Sequence, residues 1–224
     1  MKIETTKYDG IFFAWKGNRK FILTKNLTKG KKFFDEYLFN LDNEEYREFS
    51  PNRSKLGAAI IKRISQVPIH KNDKVLYLGA AHGYTSSYVS DIVGNNGIVF
   101  CVEFAPRVTR DLYLLCLERE NMMPILANAN KPDSYKDRIE KVDIIFQDIA
   151  QKNQVDILFK NLQFLKNKGF VLFAVKARSI DVTKKPLTIY KIVREQLKEK
   201  LKILDEKTLD PLEKDHIIFL CQKK

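Results

Sequence analysis

Val75-Leu76-Tyr77-Leu78-Gly79-Ala80-Ala81-His82-Gly83-Tyr84-Thr85-Ser86-Ser87 decides the fold of this chain. The stretch begins as an apolar β run, breaks at Gly79, passes a second glycine at Gly83 and opens a helix. A parallel strand that ends in a small-residue turn and feeds a helix builds a cofactor site. Glycine lets a ligand approach the backbone, and the first turn of the helix leaves its N–H groups unpaired. A dinucleotide fingerprint needs three glycines to seat a pyrophosphate, and the third is missing here. The next strand, 97–102, ends in Glu103, about 20 residues past the loop, where a carboxylate accepts both hydroxyls of an adenosine ribose. A loop and an acid without the pyrophosphate fingerprint fit S-adenosylmethionine better than NAD.

Around this stretch the pattern alternates. A helix is expected over 54–66, with Ser54 as N-cap and Leu56, Ile60, Ile61 and Ile64 as its apolar stripe. Strand 75–78, helix 85–93, strand 98–102 and helix 106–120 follow, then a short strand near 124–127 and a stronger one over 142–147. Helix 151–166 precedes strand 169–175, and helix 186–199 precedes strands 201–208 and 215–221. Alternating β and α implies a parallel sheet covered on both faces. The last two strands, joined near Asp210-Pro211, can pair antiparallel. That is the architecture of a Rossmann-like class I methyltransferase sheet, mostly parallel with an antiparallel last strand.

Residues 1–50 differ from the methyltransferase unit expected over 51–224, with Pro51-Asn52-Arg53 at the boundary. Ile11 to Trp15 and Arg19 to Thr24 flank Lys16-Gly17-Asn18, a hairpin signal, and Phe33–Leu41 and Glu45–Phe49 read as further short strands. This is a small antiparallel β unit. Its first 34 residues carry nine Lys or Arg against two acids. That local excess of +7 is more than half of the chain's +12 and suggests a polyanionic partner. Two readings of the hairpin stand: Trp15, Phe12, Phe13 and Phe21 hold RNA or a protein, or they pack inward beneath solvated lysines.

The 224 residues, 44% apolar, suffice for one sizeable α/β core. No apolar run is long enough to span a bilayer, and the first residues lack the apolar core of a secretory signal. Cys101, Cys116 and Cys221 lie in apolar runs, as reduced core thiols of a cytoplasmic protein do. No His, Cys and Asp cluster has metal-ligand spacing, so no metal is expected.

Ligands of an open parallel sheet bind outside the carboxyl ends of its strands. Read in order, those ends supply Gly79 to Ser86, then Glu103 and Phe104, then Asn128 and Ala129, then Asp148 and Gln151, then Lys176. Lys176 ends a wholly apolar run, so its amine is expected to emerge from a dry strand; desolvation favours a neutral amine and hence a proton acceptor. Asp148, ending the adjacent strand, is expected to hold that amine. His216, just before the last apolar strand, can be brought near Lys176 by the topology.

Several strings together resemble the fibrillarin family in its archaeal form. They are Tyr46-Arg47-Glu48, Asn52-Arg53-Ser54-Lys55-Leu56, Val102-Glu103-Phe104-Ala105-Pro106-Arg107, Asp148-Ile149-Ala150-Gln151, Lys176-Ala177-Arg178-Ser179-Ile180-Asp181, and Asp210-Pro211 through Asp215-His216. The resemblance covers nearly all of the chain after about residue 35 and lacks the Gly/Arg-rich tail of eukaryotic members. It implies transfer of a methyl group from S-adenosylmethionine to ribose 2′-hydroxyls of rRNA or tRNA. It also implies a box C/D guide RNA that chooses the target, a Nop-family scaffold protein and a kink-turn-binding ribosomal-type protein. The family's Lys-Asp-Lys-His tetrad falls on Lys55, Asp148, Lys176 and His216. Its cofactor contacts fall on Gly79, Ala81, Tyr84, Thr85, Ser86, Glu103, Phe104, Asn128, Ala129, Asp148 and Gln151. Tyr84 and Asn128 depart from the family's usual Thr and Asp. Two other readings compete: a noncatalytic RNA-binding subunit, and a small-molecule methyltransferase or NAD enzyme.

Overall fold

The computed structural model describes residues 2–224. Its first sheet is antiparallel. Strands β1 (Lys2–Thr5), β2 (Ile11–Lys16), β3 (Arg19–Lys25), β4 (Leu38–Leu41) and β5 (Glu44–Glu48) lie in the order β1-β2-β3-β5-β4. The Lys16–Arg19 hairpin registers as its turn signal requires, with Trp15 opposite Lys20. β1 was not anticipated. The strand expected from Phe33 begins only at Leu38, because the Glu36 carboxylate accepts the Phe33 and Phe34 N–H groups at 3.2 and 2.8 Å and folds 33–36 into a turn.

The second sheet is built from α1 (Lys55–Ile61), β6 (Lys74–Leu78), α2 (Tyr84–Val93), β7 (Ile98–Glu103), α3 (Pro106–Leu117), β8 (Met122–Leu126), β9 (Val142–Asp148), α4 (Gln154–Asn161), β10 (Leu165–Lys176), α5 (Ala177–Ile180), α6 (Pro186–Lys198), β11 (Leu201–Thr208) and β12 (His216–Lys223). Its seven strands run β11-β12-β10-β9-β6-β7-β8, and β12 alone is antiparallel to its neighbours. This is the sheet expected from the alternating pattern.

Three helices are shorter than their periodicity suggests. Ser54 caps α1 by accepting the Gly57 N–H at 3.2 Å, but the helix stops at Ile61, where Arg63 turns left-handed (φ 56). α3 ends at Leu117. α4 ends at Asn161 because Leu165 already belongs to β10 and pairs with Val142.

One apolar cluster lines each face of the large sheet. The first holds Leu56, Ile60, Tyr77, Tyr88, Phe146, Leu172 and Ile218, and it also takes in Tyr8, Ile11, Ile22 and Phe49 from the antiparallel unit. The first 50 residues therefore share a core with the helical layer over β6. The second cluster, with Leu78, Val102, Phe173, Val175 and Phe219, is covered by α4 and α6.

A buried ionic clasp joins the two sheets. Asp91 of α2 sits 2.8 Å from Arg119 and 3.5 Å from Arg47 of β5, with all three side chains fully buried. It also accepts the Thr24 hydroxyl at 2.7 Å, and Glu36 lies 3.3 Å from Arg47. Burial works against the Arg47 cation, but Asp91, Tyr88 and Glu36 outweigh it and hold its pKa above the usual range. For Arg119 burial wins, aided by repulsion from Arg47, and its pKa falls below the usual range.

Candidate active site

The loop after β6 is shaped by crowding. Gly79 has φ +83, and a Cβ there would stand 2.4 Å from the Asp148 carbonyl oxygen, so no other residue fits. Gly83 has φ +91, caps α2, and leaves no room for a Cβ against Leu115. Ala81, also left-handed (φ 48), donates its N–H to Glu103 at 3.1 Å. The same carboxylate accepts the Phe104 and Ala105 N–H groups at 2.9 and 3.0 Å. Three backbone donors thus orient Glu103 at the end of β7.

Beside Glu103 opens a cavity of about 250 Å³ lined by Gly79, Ala81, Glu103, Phe104, Asn128, Ala129, Asp148 and Gln151. Phe104 is largely exposed at its rim and offers a stacking face. Asn128 accepts the Asn130 N–H at 2.9 Å through its side-chain carbonyl, which keeps a second lone pair for an amino group. A fixed carboxylate for ribose hydroxyls, an exposed aromatic ring and an amide suit the adenosine half of S-adenosylmethionine.

Gly79, Ala81 and Asp148 also line a second, larger cavity of about 650 Å³, where Lys55, Tyr84 and Thr85 are found. Thr85 donates its hydroxyl to Ser54 at 3.0 Å. Ser86 is wholly buried with its hydroxyl unpartnered, and its backbone N–H belongs to the free first turn of α2. Tyr84 is held away from the adenosine cavity: its hydroxyl accepts the Ser50 N–H at 3.3 Å and its ring packs edge-on against Phe34 and Tyr88. Burial raises its pKa.

The four tetrad positions share one face of the sheet. Side chains alternate along a strand, and Phe146, Leu172 and Ile218 all belong to the cluster under α1. Counting by twos, Asp148, Lys176 and His216 end their strands on that side, and Lys55 opens α1 above them. Lys176 lies directly opposite His216 across β10 and β12, as the topology allowed.

Two expectations about Lys176 need correction. Asp148 pairs with Lys55, at 3.2 Å, rather than with Lys176, because α1 lowers Lys55 onto the end of β9. Lys176 is exposed, so the dry setting expected of its amine is not provided by β10 alone. Lys55 and Asp148 are each 23% exposed. Burial acts to lower the Lys55 pKa, but Asp148 and Glu213 outweigh it and the net shift is upward. His216 is buried, with Nδ1 2.7 Å from the Lys214 carbonyl oxygen. A carbonyl only accepts, so Nδ1 carries the hydrogen and Nε2 is left as the acceptor when the ring is neutral.

Sequence reasoning missed Lys32, Phe33, Phe34 and Arg53 as lining residues of the larger cavity. Arg53 had a signal, since it stands beside the Ser54 cap. Lys32 and Phe34 had none, since they fold back from the antiparallel unit. Among the described residues no group of His, Cys, Asp and Glu forms a metal site, and no helix is long and apolar enough to cross a membrane.

The fibrillarin family model matches residues 3–224. The fibrillarin-like rRNA/tRNA 2′-O-methyltransferase of Methanocaldococcus jannaschii is 51% identical over 203 residues, 90% of this chain and 88% of its own length. The solved structure of Aeropyrum pernix fibrillarin with natively bound S-adenosyl-L-methionine matches with TM-score 0.92 and 39% identity, over 99% of this chain and 98% of that one. A fibrillarin/Nop5p complex matches with TM-score 0.88 and 38% identity, over 98% of this chain and 100% of that one.

Proposed function

The chain belongs to the fibrillarin family, and we propose on that premise that it methylates ribose 2′-hydroxyls of rRNA and tRNA, using S-adenosylmethionine. The observation that carries this reading is the junction at Gly79, Ala81 and Asp148, where the adenosine-shaped cavity opens beside the Lys55–Asp148 pair.

Glu103 binds the cofactor's ribose hydroxyls, Phe104 stacks on its adenine, and Asn128, Ala129 and Gln151 close the cavity around it. The free N–H groups of the first turn of α2, at Tyr84, Thr85 and Ser86, face its amino-acid end. When bound, the cofactor supplies an electrophilic methyl group on a sulfonium. What remains for the chain is to align a ribose hydroxyl and take its proton. Lys176, exposed at the end of β10 and opposite His216, is the group assigned to receive that proton. Lys55 and Asp148 hold each other at the cavity junction, and Lys55 steadies the incoming ribose or its phosphate. His216, beside Lys176, offers Nε2 to the same hydroxyl. A positioned base contributes about 10²–10⁴-fold and alignment about 7–11 kcal/mol.

The relative crystallised with Nop5p supports a Nop-family scaffold as partner. A box C/D guide RNA selects the target, and a kink-turn-binding ribosomal-type protein joins the particle, which works in the cytoplasm. The basic balance of +12 suits such an assembly. The test is transfer from labelled cofactor to a target RNA. Isolated protein is expected to be nearly inactive, and guide RNA with scaffold is expected to restore site-specific transfer. Efficient sequence-specific transfer by the protein alone would overturn the guided mechanism.

A further inference from the structure

The cavity beside Glu103, of about 250 Å³, meets the larger one, of about 650 Å³, at Gly79, Ala81 and Asp148. On the functional reading above, the Thr85 N–H serves the cofactor and Lys55 the incoming ribose. Lys32, Phe34 and Arg53, which line the larger cavity, have no part in that reading, and the wall they form is already built. Tyr84 is tethered through its hydroxyl, Phe34 packs edge-on to it with ring centroids 4.9 Å apart, and the Arg53 guanidinium lies 4.4 Å from the Tyr84 ring centre.

The charges of this wall are unbalanced. Asp148 is paired with Lys55, and Asp111 lies 3.0 Å from His82 Nδ1. Lys32 is exposed and has no acidic partner among the described residues. Arg53 has only a long, 3.9 Å contact with a fully exposed Asp35. Two free cations beside two aromatic rings match a nucleotide: a phosphate for the cations, and a base for the ring or for an arginine plane.

We propose that Phe34, Arg53 and Lys32 form a subsite for the nucleotide next to the methylated ribose, with Phe34 and Arg53 stacking its base and Lys32 taking its phosphate. The subsite rests on the RNA-methyltransferase reading above. It sits on the turn closed by Glu36, so the antiparallel unit contributes directly to substrate positioning. Target RNA is thereby gripped beside the reacting ribose independently of pairing with the guide.

The test uses the full chain assembled with guide RNA, scaffold and kink-turn protein. Phe34→Ala is expected to lower kcat/KM for target RNA about 10-fold, within the range of base–aromatic stacking. Lys32→Ala, an exposed change that leaves the fold intact, is expected to lower it about 5-fold and to reduce the salt slope of log kcat/KM by about 0.7–0.9, one phosphate contact. Both variants should bind S-adenosylmethionine with unchanged Kd by calorimetry. An abasic residue beside the target should cost the wild type as much as Phe34→Ala does, and cost that variant nothing further. Weaker cofactor binding would assign the wall to the cofactor and overturn the subsite. Loss of scaffold binding with normal transfer per assembled particle would assign it to a protein partner, and unchanged kcat/KM in both variants would leave the wall no role in RNA binding. Failure of the wild-type particle to transfer methyl groups would instead overturn the enzymatic reading, and the subsite with it.

Discussion

Two charged clusters of this molecule behave in opposite ways. The side chains of Arg47, Asp91 and Arg119 are fully buried and bonded to one another and to Thr24. Lys55 and Asp148 keep 23% of their surface and line an open cavity. Charge type does not separate them; each sets at least one basic side chain against an aspartate. Access does. The buried cluster can only hold elements together, here the antiparallel unit against α2. The half-buried one keeps a face for a substrate. Ionisable residues can take part in chemistry only where a substrate can reach them.

The comparison breaks most sharply at Asp91. Asp91→Ala leaves two buried guanidinium groups without their shared carboxylate, a loss of about 3–5 kcal/mol. In a chain of this size that is a fall of roughly 6–20 °C in Tm. Cofactor affinity of the variant still folded at low temperature should stay near wild type. An unchanged Tm would mean that the clasp is not holding the two sheets.

A middle-sized effect belongs to the cofactor cavity. Glu103→Gln removes a charge from an acceptor of three N–H groups and from the ribose hydroxyls. Hydrogen bonds to charged groups contribute about 1.5–3 kcal/mol, so calorimetry should read a loss of S-adenosylmethionine affinity of about 10- to 150-fold. An affinity within twofold of wild type would remove Glu103 from the cofactor site.

The smallest effect sharpens the contrast. Lys55→Met should lower stability by about 1 kcal/mol or less, because its ion pair still meets water. The pKa of Lys55 is raised above 10.5 in the folded chain, so its contribution is fully present below that value and fades as pH rises through the raised one. Denaturation of the two proteins should therefore differ by a constant amount from neutral pH to about 10 and converge above it. Divergence at alkaline pH would contradict the pairing.

Much of the wound sheet was legible because its signals are local. Apolar strands closed by Gly79, Glu103 and Asp148 carry their own period and their own terminators. The cofactor cavity followed, since strand ends of a parallel sheet converge on one edge. What escaped depends on contacts far apart in the chain. Asp148 chose Lys55, 93 positions away, over Lys176 on the neighbouring strand. The ionic clasp draws on β5, α2 and the segment after α3, and nothing at Arg47 marks it as buried. Phe33–Tyr37 read as strand by its aromatics, but a single carboxylate, Glu36, turned it.

The most direct test compares wild type with Lys176→Ala in the assembled particle, measuring labelled methyl transfer to the target ribose together with cofactor affinity by calorimetry. Transfer reduced at least about 100-fold, with S-adenosylmethionine bound as in wild type, is the predicted result. Transfer at the wild-type rate would contradict the assignment of Lys176 as the proton acceptor.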